Sequence, residues 1–351
     1  MRLTRTSVVL AVLGVLAIIA AVVVRVVVVP SVTKLPDDLN TTQSYAGTYS
    51  GLNPAALAGT GGQLLLRNVP MTASRTYTVD SSTGDTAVVK QTIARAIGGQ
   101  PDPKAETRYA VDRTNFESVP APSGSTGVVK SQGLIFTLPL KPSTDASYRL
   151  WDQPTAASYP LTYQRTSTLE GRTVLQYTSV AEGTLANPAA LGLPTSVTAR
   201  QLRALQPVLA NVLPSQLLAQ LPAILTQLPA SIPLSYTSST TSTVYADSEL
   251  GVPIKTGSTQ KISAGIPLGT SLAVPFATIT LTATDASVKA LADDTAAKAG
   301  TLNLVGTVVP IVLGVLGILL LIGALLTARR GTSGGGTSAP PSQPATRRVS
   351  A

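Results

Sequence analysis

Three hydrophobic patterns divide the chain. From Ser7 to Val29, and again from Leu304 to Thr327, the residues are almost continuously apolar. Arg25 is the one charge in the first run, and the second has none. At ~1.5 Å per residue, each run as a helix spans the ~30 Å hydrocarbon core of a bilayer. Between them, short runs rich in Thr, Val and Tyr are separated by Gly, Pro, Asp and Ser, a pattern that predicts strands. A third pattern, rich in Leu, Ala, Gln and Pro, fills 186–232, where only Arg200 and Arg203 are charged.

These patterns predict an α+β chain: an antiparallel β barrel- or sandwich-like extracytoplasmic domain with a short-helix insertion, flanked by N- and C-terminal transmembrane helices. The expected boundaries are a cytoplasmic N-terminus over 1–6, a transmembrane helix over 7–29, an extracytoplasmic domain over 30–301, a second transmembrane helix over 302–327 and a tail over 328–351. The Gly/Ser/Pro-rich tail predicts disorder. Within the domain, 63–183 and 234–282 are expected to be β-rich, 186–232 to be the helical insertion and 285–298 a helix with Val288, Leu291 and Ala292 on one face.

Residues 31–60 read as an extended linker with a helical turn over 54–58. Strands are expected at 76–79 and 86–89, flanking an Asp80–Asp85 turn, then at 107–111, 127–130, 134–138, 161–168, 173–180, 234–245, 252–262 and 272–282. In the insertion, Pro194-Thr195-Ser196 is expected to start a helix running to Gln206. Pro207, Pro214, Pro222 and Pro229 break the remainder into short helices, 215–221 and 223–228 among them. Asp80, Asp112 and Asp247 each stand where a strand is expected to end, and there a carboxylate accepts backbone N–H groups and nucleates a turn.

Charge adds orientation. The net charge of +9 is concentrated at the ends: Arg2 and Arg5 precede the first apolar run, and Arg329, Arg330, Arg347 and Arg348 follow the second. Positive flanks stay in the cytoplasm, which predicts a two-pass cell-membrane protein with both termini cytoplasmic and the middle outside. With Arg25 assigned to the membrane, the middle keeps 19 Lys and Arg against 17 acids, so no nucleic-acid partner is expected. No small-x-small site follows Val29-Pro30, so the first helix is expected to remain as an anchor. Gly314, Gly317 and Ala324 form a small-residue stripe that matches Gly14, Ala17 and Ala21 of the first span. Pro310 predicts a kink.

Chemistry is narrowed by absence. The chain has no Cys and no His, which removes Ser–His–Asp triads, thiolate nucleophiles and His- or Cys-held zinc. No catalytic residue, cofactor or metal is assigned. The acid pairs Asp37-Asp38 and Asp293-Asp294 lack a calcium-loop spacing and read as solvated charges. The candidate ligand-binding residues are the insertion's Leu205, Leu209, Leu213, Leu217, Leu221 and Leu225, with the aromatics Tyr148, Trp151 and Tyr163. Each group has a plainer reading as packing.

Gly133-Leu134-Ile135-Phe136-Thr137-Leu138-Pro139-Leu140, Tyr148-Arg149-Leu150-Trp151-Asp152, Tyr159-Pro160-Leu161-Thr162-Tyr163 and the Tyr245–Gly251 hairpin resemble an actinobacterial family of unknown function, sometimes labelled PorA-family porin. The two-anchor layout is similar too. A membrane barrel crosses with repeated ~10-residue strands, whereas the membrane-length segments here are helices. The architecture also looks like that of class B scavenger receptors, which implies an outer domain that carries lipid. The function expected is therefore a membrane-anchored, non-enzymatic envelope protein that binds or conveys an apolar, lipid-like envelope molecule. The alternative is a structural scaffold that binds an envelope protein partner. A porin or a carboxylate-dependent hydrolase stands behind both.

Overall fold

The computed structural model describes residues 5–53, 56, 62–191, 193–204, 219, 223, 230–268 and 270–330. The chain divides into two compact units, 1–32 with 301–351, and 33–300.

In the first unit, helix α1 runs Arg5–Val23, passes through a π turn at Val24–Val28 and ends as Val29–Val32. Its partner is the end of α3, which runs Asp285–Asn303, a π turn at Leu304–Val308, then Val309–Arg330. Both helices have the length and composition to cross a membrane. Each π turn ends just before a proline, Pro30 or Pro310. Proline has no N–H for the carbonyl four residues back, so the turn widens there, where a simple kink was expected. Gly306 is the residue four before Pro310, and its freed carbonyl accepts from Arg25 Nη1 at 3.0 Å. The predicted small-residue seam is present at Gly14 and Gly317. A Cβ on Gly14 would lie 2.8 Å from the Gly317 carbonyl oxygen. Gly314 has open space around it and is not part of the seam.

The second unit is built on one antiparallel ten-stranded sheet. Its strands are β1 Asn40–Leu52, β2 Leu65–Thr83, β3 Thr86–Ile97, β4 Gln100–Pro101, β5 Ala105–Asp112, β8 Thr162–Leu169, β9 Arg172–Thr184, β12 Ser235–Asp247, β13 Pro253–Leu268 and β14 Thr270–Ala283. The order is β4-β3-β2-β1-β14-β13-β12-β9-β8, with β5 beside β4 on the same edge of β3. The expected barrel does not close: the ladder ends at β8 on one side and at β4 and β5 on the other. Among the described residues two further strand pairs stand apart, the hairpin of β6 Arg149–Asp152 with β7 Ala157–Pro160, and β10 Ser196–Val197 with β11 Ile232–Pro233.

The main hairpins fall where the turn chemistry puts them, with corrected boundaries. β2 continues to Thr83 and pairs with Thr86, so the turn shrinks to Gly84-Asp85 with Gly84 at φ +59°. Asp80 accordingly lies within a strand and pairs with Lys90 and Arg108. Asp112 does nucleate a turn, accepting from the backbone of Thr114 and Asn115. The expected strands at 127–130 and 134–138 are reduced to single bridges, Arg108↔Val128, Glu117↔Leu134 and Leu134↔Leu150. The stretch read as a linker contains β1, in the middle of the sheet between β2 and β14.

Among the described residues, four buried clusters fill the unit. Tyr49, Met71, Val197, Ile232, Tyr236 and Phe276 belong to one. Val89, Tyr109 and Ile135 mark a second, and Leu134, Leu175 and Tyr177 a third. The fourth joins Tyr45, Ile254 and Ala283 to Val288 and Ala292 of α3, the helical face expected from sequence. Thr284 caps that helix, its hydroxyl accepting from Ser287 N at 3.3 Å.

Burial in these clusters makes the protein alkali-sensitive. Burial, with Asp102 nearby, pushes the Tyr49 phenol up to about 12, and burial beside Tyr148 and Tyr163 does the same for Tyr177. An unfolded tyrosine ionises near ~10, so above that the unfolded chain releases protons first. This stabilisation is complete below pH ~10 and is lost as pH rises towards 12. A melting temperature that stays flat across that window would contradict the assignment. Ultraviolet difference absorbance should show phenol ionisation accompanying unfolding.

Candidate functional site

The Leu-rich insertion leaves and re-enters the fold at one point. Val197 pairs with Ile232 and Ser196 with Pro233. Val197 and Ile232 are buried in the first cluster. Leu234 N donates to Thr195 O, and the Tyr236 hydroxyl to Pro194 O at 2.7 Å. The two ends of the 198–231 excursion are therefore held by a two-strand stem set on an apolar core. The predicted helix start at Pro194 is corrected: 196–197 pair as strand, and the helix, α2, is Ala199–Ala204. Its signal is Thr198-x-x-Gln201. The Thr198 hydroxyl accepts from Gln201 N, and Gln201 Oε1 accepts from Thr198 N, a reciprocal cap. Leu205, Leu209, Leu213, Leu217, Leu221 and Leu225 lie outside the described residues, as do most of the expected helices at 215–221 and 223–228.

Of the three predicted aromatics, two share one cluster and the third lies in another. Tyr148 and Tyr163 pack edge-on against Tyr177, with centroids 6.1 and 5.8 Å away. Trp151 packs instead against the cluster around Tyr109. The acid pairs are dispersed as well. Asp37 pairs with Arg113, and Asp293 and Asp294 pair with Lys289 and Lys298 along their own helix. Among the described residues, no group of three or more His, Cys, Asp or Glu is placed to hold a metal.

A polar patch that sequence reading missed lies on the inward face of β1, β2, β3 and β5. Met71, Ala73, Arg75, Tyr77 and Val79 alternate along β2 and share one face. Met71, Ala73, Tyr77 and Val79 all join buried clusters. Arg75 shares their face, yet its side chain is exposed to solvent. Across the ladders, Gln43, Arg75 and Ile93 form one row, and Thr41, Tyr77, Gln91 and Thr107 the next. The guanidinium carbon of Arg75 lies 5.7 Å from the Tyr45 ring centroid, a cation–π contact. Gln43 and Tyr45 are satisfied by one another and by Thr256 and Ile254 O. None of the ion pairs among the described residues includes Arg75. Burial raises the phenol pKa of Tyr77 and of Tyr109, so both stay neutral near pH 7 and neither offers Arg75 a negative charge.

Two polar atoms beside this patch lack a partner. Gln91 is 6 % exposed. It donates to the Tyr77 hydroxyl at 2.8 Å, but its Oε1 is unmet. The indole N–H of Trp151 lies by the Tyr109 phenol without reaching a hydrogen bond of normal geometry. The sequence signal for this patch is Arg75 itself, the one charge in an inward-alternating row of β2.

Comparison with known proteins adds a family. The family described as Porin PorA matches residues 6–326. No curated protein matches. Among solved structures, a hot dog fold protein of unknown function from Alicyclobacillus acidocaldarius aligns at 10% identity over 72% of this chain and 81% of its own, with a TM-score of 0.12, a likeness too slight to inform the fold. The architectural likeness to class B scavenger receptors finds no support in these comparisons.

Proposed function

The chain belongs to the PorA porin family, and from that premise we propose a membrane-anchored envelope protein whose domain binds or conveys an apolar, lipid-like molecule through the excursion at 198–231. The family and the two apolar helices fit a membrane protein. The basic flanks support cytoplasmic termini and an outer domain at 33–300. The strands form an open sheet, so pore formation does not follow from this fold.

The observation that carries the reading is the stem. Residues 205–229 hold no charge and are rich in Leu, and both ends of the excursion are fixed on the buried cluster of Val197, Ile232 and Phe276. An uncharged apolar segment hung on an apolar core is the arrangement expected of a cap over a lipid-like ligand. The role is binding, without catalysis. The scaffold alternative uses the same surface for a protein partner.

Excision separates the two. Joining Thr198 to Ser231 through a short Gly/Ser link keeps the β10–β11 stem. Native mass spectrometry of the full chain, released gently from detergent, is expected to show lipid-sized adducts, and the excised form is expected to lose them while keeping a cooperative thermal melt. A full chain that carries no lipid, and takes none up from envelope-lipid vesicles, would defeat the carrier reading in favour of the scaffold.

A further inference from the structure

We propose that Arg75, with Gln91 and Trp151, forms a binding site for an oxyanion, a carboxylate or phosphate group, on the inward face of the sheet. This goes beyond the apolar-ligand reading and does not use the excursion.

The argument starts from an uncompensated charge. Arginine keeps its charge, and its planar fork of N–H donors matches carboxylate and phosphate oxygens in pairs. Arginines on the inward face of a sheet are ordinarily neutralised by an acid, as Arg95 is by Asp102. The Arg75 guanidinium donates to the Tyr77 hydroxyl and lies near the phenols of Tyr45 and Tyr109, none of which supplies a negative charge. Water still reaches it, so a small group or a headgroup can as well.

The neighbours supply what an oxyanion needs. Tyr77 and Gln91 face each other directly across the β2–β3 ladder, two residues from Arg75. Which end of the Gln91 amide is nitrogen is fixed only by its surroundings. In either orientation one polar end meets Tyr77 and the other meets nothing. With the amide turned, Oε1 accepts from the Tyr77 hydroxyl and the NH2 is free to donate to an anion. The Trp151 N–H, beside the Tyr109 phenol, is a second buried donor whose hydrogen bond is not well formed. Leaving a buried donor poorly met is costly, so two such groups beside a guanidinium that has no acid partner are better explained by a missing acceptor than by chance.

Trp151 is the chain's one tryptophan, so its emission reports on this site directly. Full-length protein in detergent is titrated separately with phosphate, acetate, oleate and methyl oleate. At least one of the three oxyanions is expected to give a saturable change in emission. The apparent Kd is expected to rise roughly tenfold or more in Arg75→Gln, and less in Arg75→Lys, which keeps the charge but loses the fork. Arg165→Gln, at an exposed arginine bonded to Gln176, should titrate like the wild type. A response to phosphate or acetate assigns a free anion; a response to oleate alone, with methyl oleate silent, assigns the acidic head of an amphiphile. The proposal is overturned if no oxyanion acts, if oleate and methyl oleate act alike while the small anions are silent, or if Arg75→Gln matches the wild type. Should Arg75→Gln fail to fold, the wild-type series and Arg75→Lys decide alone. The excised form described above should keep the Trp151 response, so the two readings fail separately.

Discussion

Gly47→Ala is expected to lower the melting temperature of the full chain by roughly 10–20 °C, from a loss on the order of 4–5 kcal/mol. Gly47 lies in β1 opposite Leu281 of β14. A Cβ there would sit 1.8 Å from the Thr280 carbonyl oxygen and 2.7 Å from its carbon. Both are backbone atoms, so no side chain can swing away to make room. Relief requires β1 to leave β14, in the middle of the ten-strand order. Position matters more than residue type. Gly84 and Gly99 have positive φ but open space where a Cβ would go. Alanine at either should cost only the ~1–2 kcal/mol of a left-handed backbone. Thermal melts followed by circular dichroism compare the three. A Gly47→Ala melt within about 3 °C of the wild type would show that β1 and β14 are not packed as described.

Gly47 also explains why β1 was not visible in the sequence. Strand prediction relies on β-branched and aromatic alternation, and β1 reads Asn-Thr-Thr-Gln-Ser-Tyr-Ala-Gly-Thr-Tyr-Ser-Gly-Leu. Its inward positions hold Gln43, Tyr45, Gly47 and Tyr49, chosen for hydrogen bonding and close backbone approach rather than for apolar bulk. The membrane-length helices were legible because their signal is long and uniform. The β2–β3, β8–β9 and β12–β13 hairpins were legible because turn residues and alternation agree locally. Barrel closure was not legible, because it depends on pairing between strands far apart in sequence. Here the segment 113–161 lies between β5 and β8, and isolated bridges take the place of a ladder.

The candidate site was legible only in pieces. The row Met71, Ala73, Arg75, Tyr77, Val79 is periodic, but period alone does not say which face of β2 is inward. That comes from the pairing of β2 with β1 and β3. Gln91 and Trp151 are brought to the row by ladder register and by the β6–β7 hairpin, neither of which a local pattern encodes. Of Tyr148, Trp151 and Tyr163, the first and last do share a core, and Trp151 is split from them because adjacent positions along β6 feed different cores. Leu134 and Ile135 show the same split, entering separate clusters as successive residues.

Asp247→Ala is expected to cost about 3–5 kcal/mol, the range for stripping the partner from a buried ion pair. Asp247 is fully buried, with a relative exposure of 0%. Its carboxylate accepts from Arg172 Nε at 2.8 Å and from the backbone N–H groups of Glu249 and Leu250 at 3.0 and 2.8 Å. Alanine leaves those donors unmet and a mostly covered guanidinium with only Glu249, which is exposed. Asp247→Asn should fall between, because its amide oxygen still accepts the turn N–H groups but carries no charge for Arg172. Glu249→Gln should cost less than about 1 kcal/mol, since that pair is screened by water. The damage should also spread in a defined direction. Leu138 N donates to Gly251 O, and Lys141 N to Glu249 O, so the turn that Asp247 shapes holds the segment crossing between β5 and β8. Hydrogen exchange in Asp247→Ala should accelerate at the Leu138 and Lys141 amides, while the Thr72↔Ala96 and Thr76↔Thr92 rungs between β2 and β3 stay protected. Uniform acceleration would mean that the turn is no more than one contributor to global stability. Protection unchanged at Leu138 would mean that the crossing segment is held by its own core contacts through Leu134 and Leu138, independently of the carboxylate.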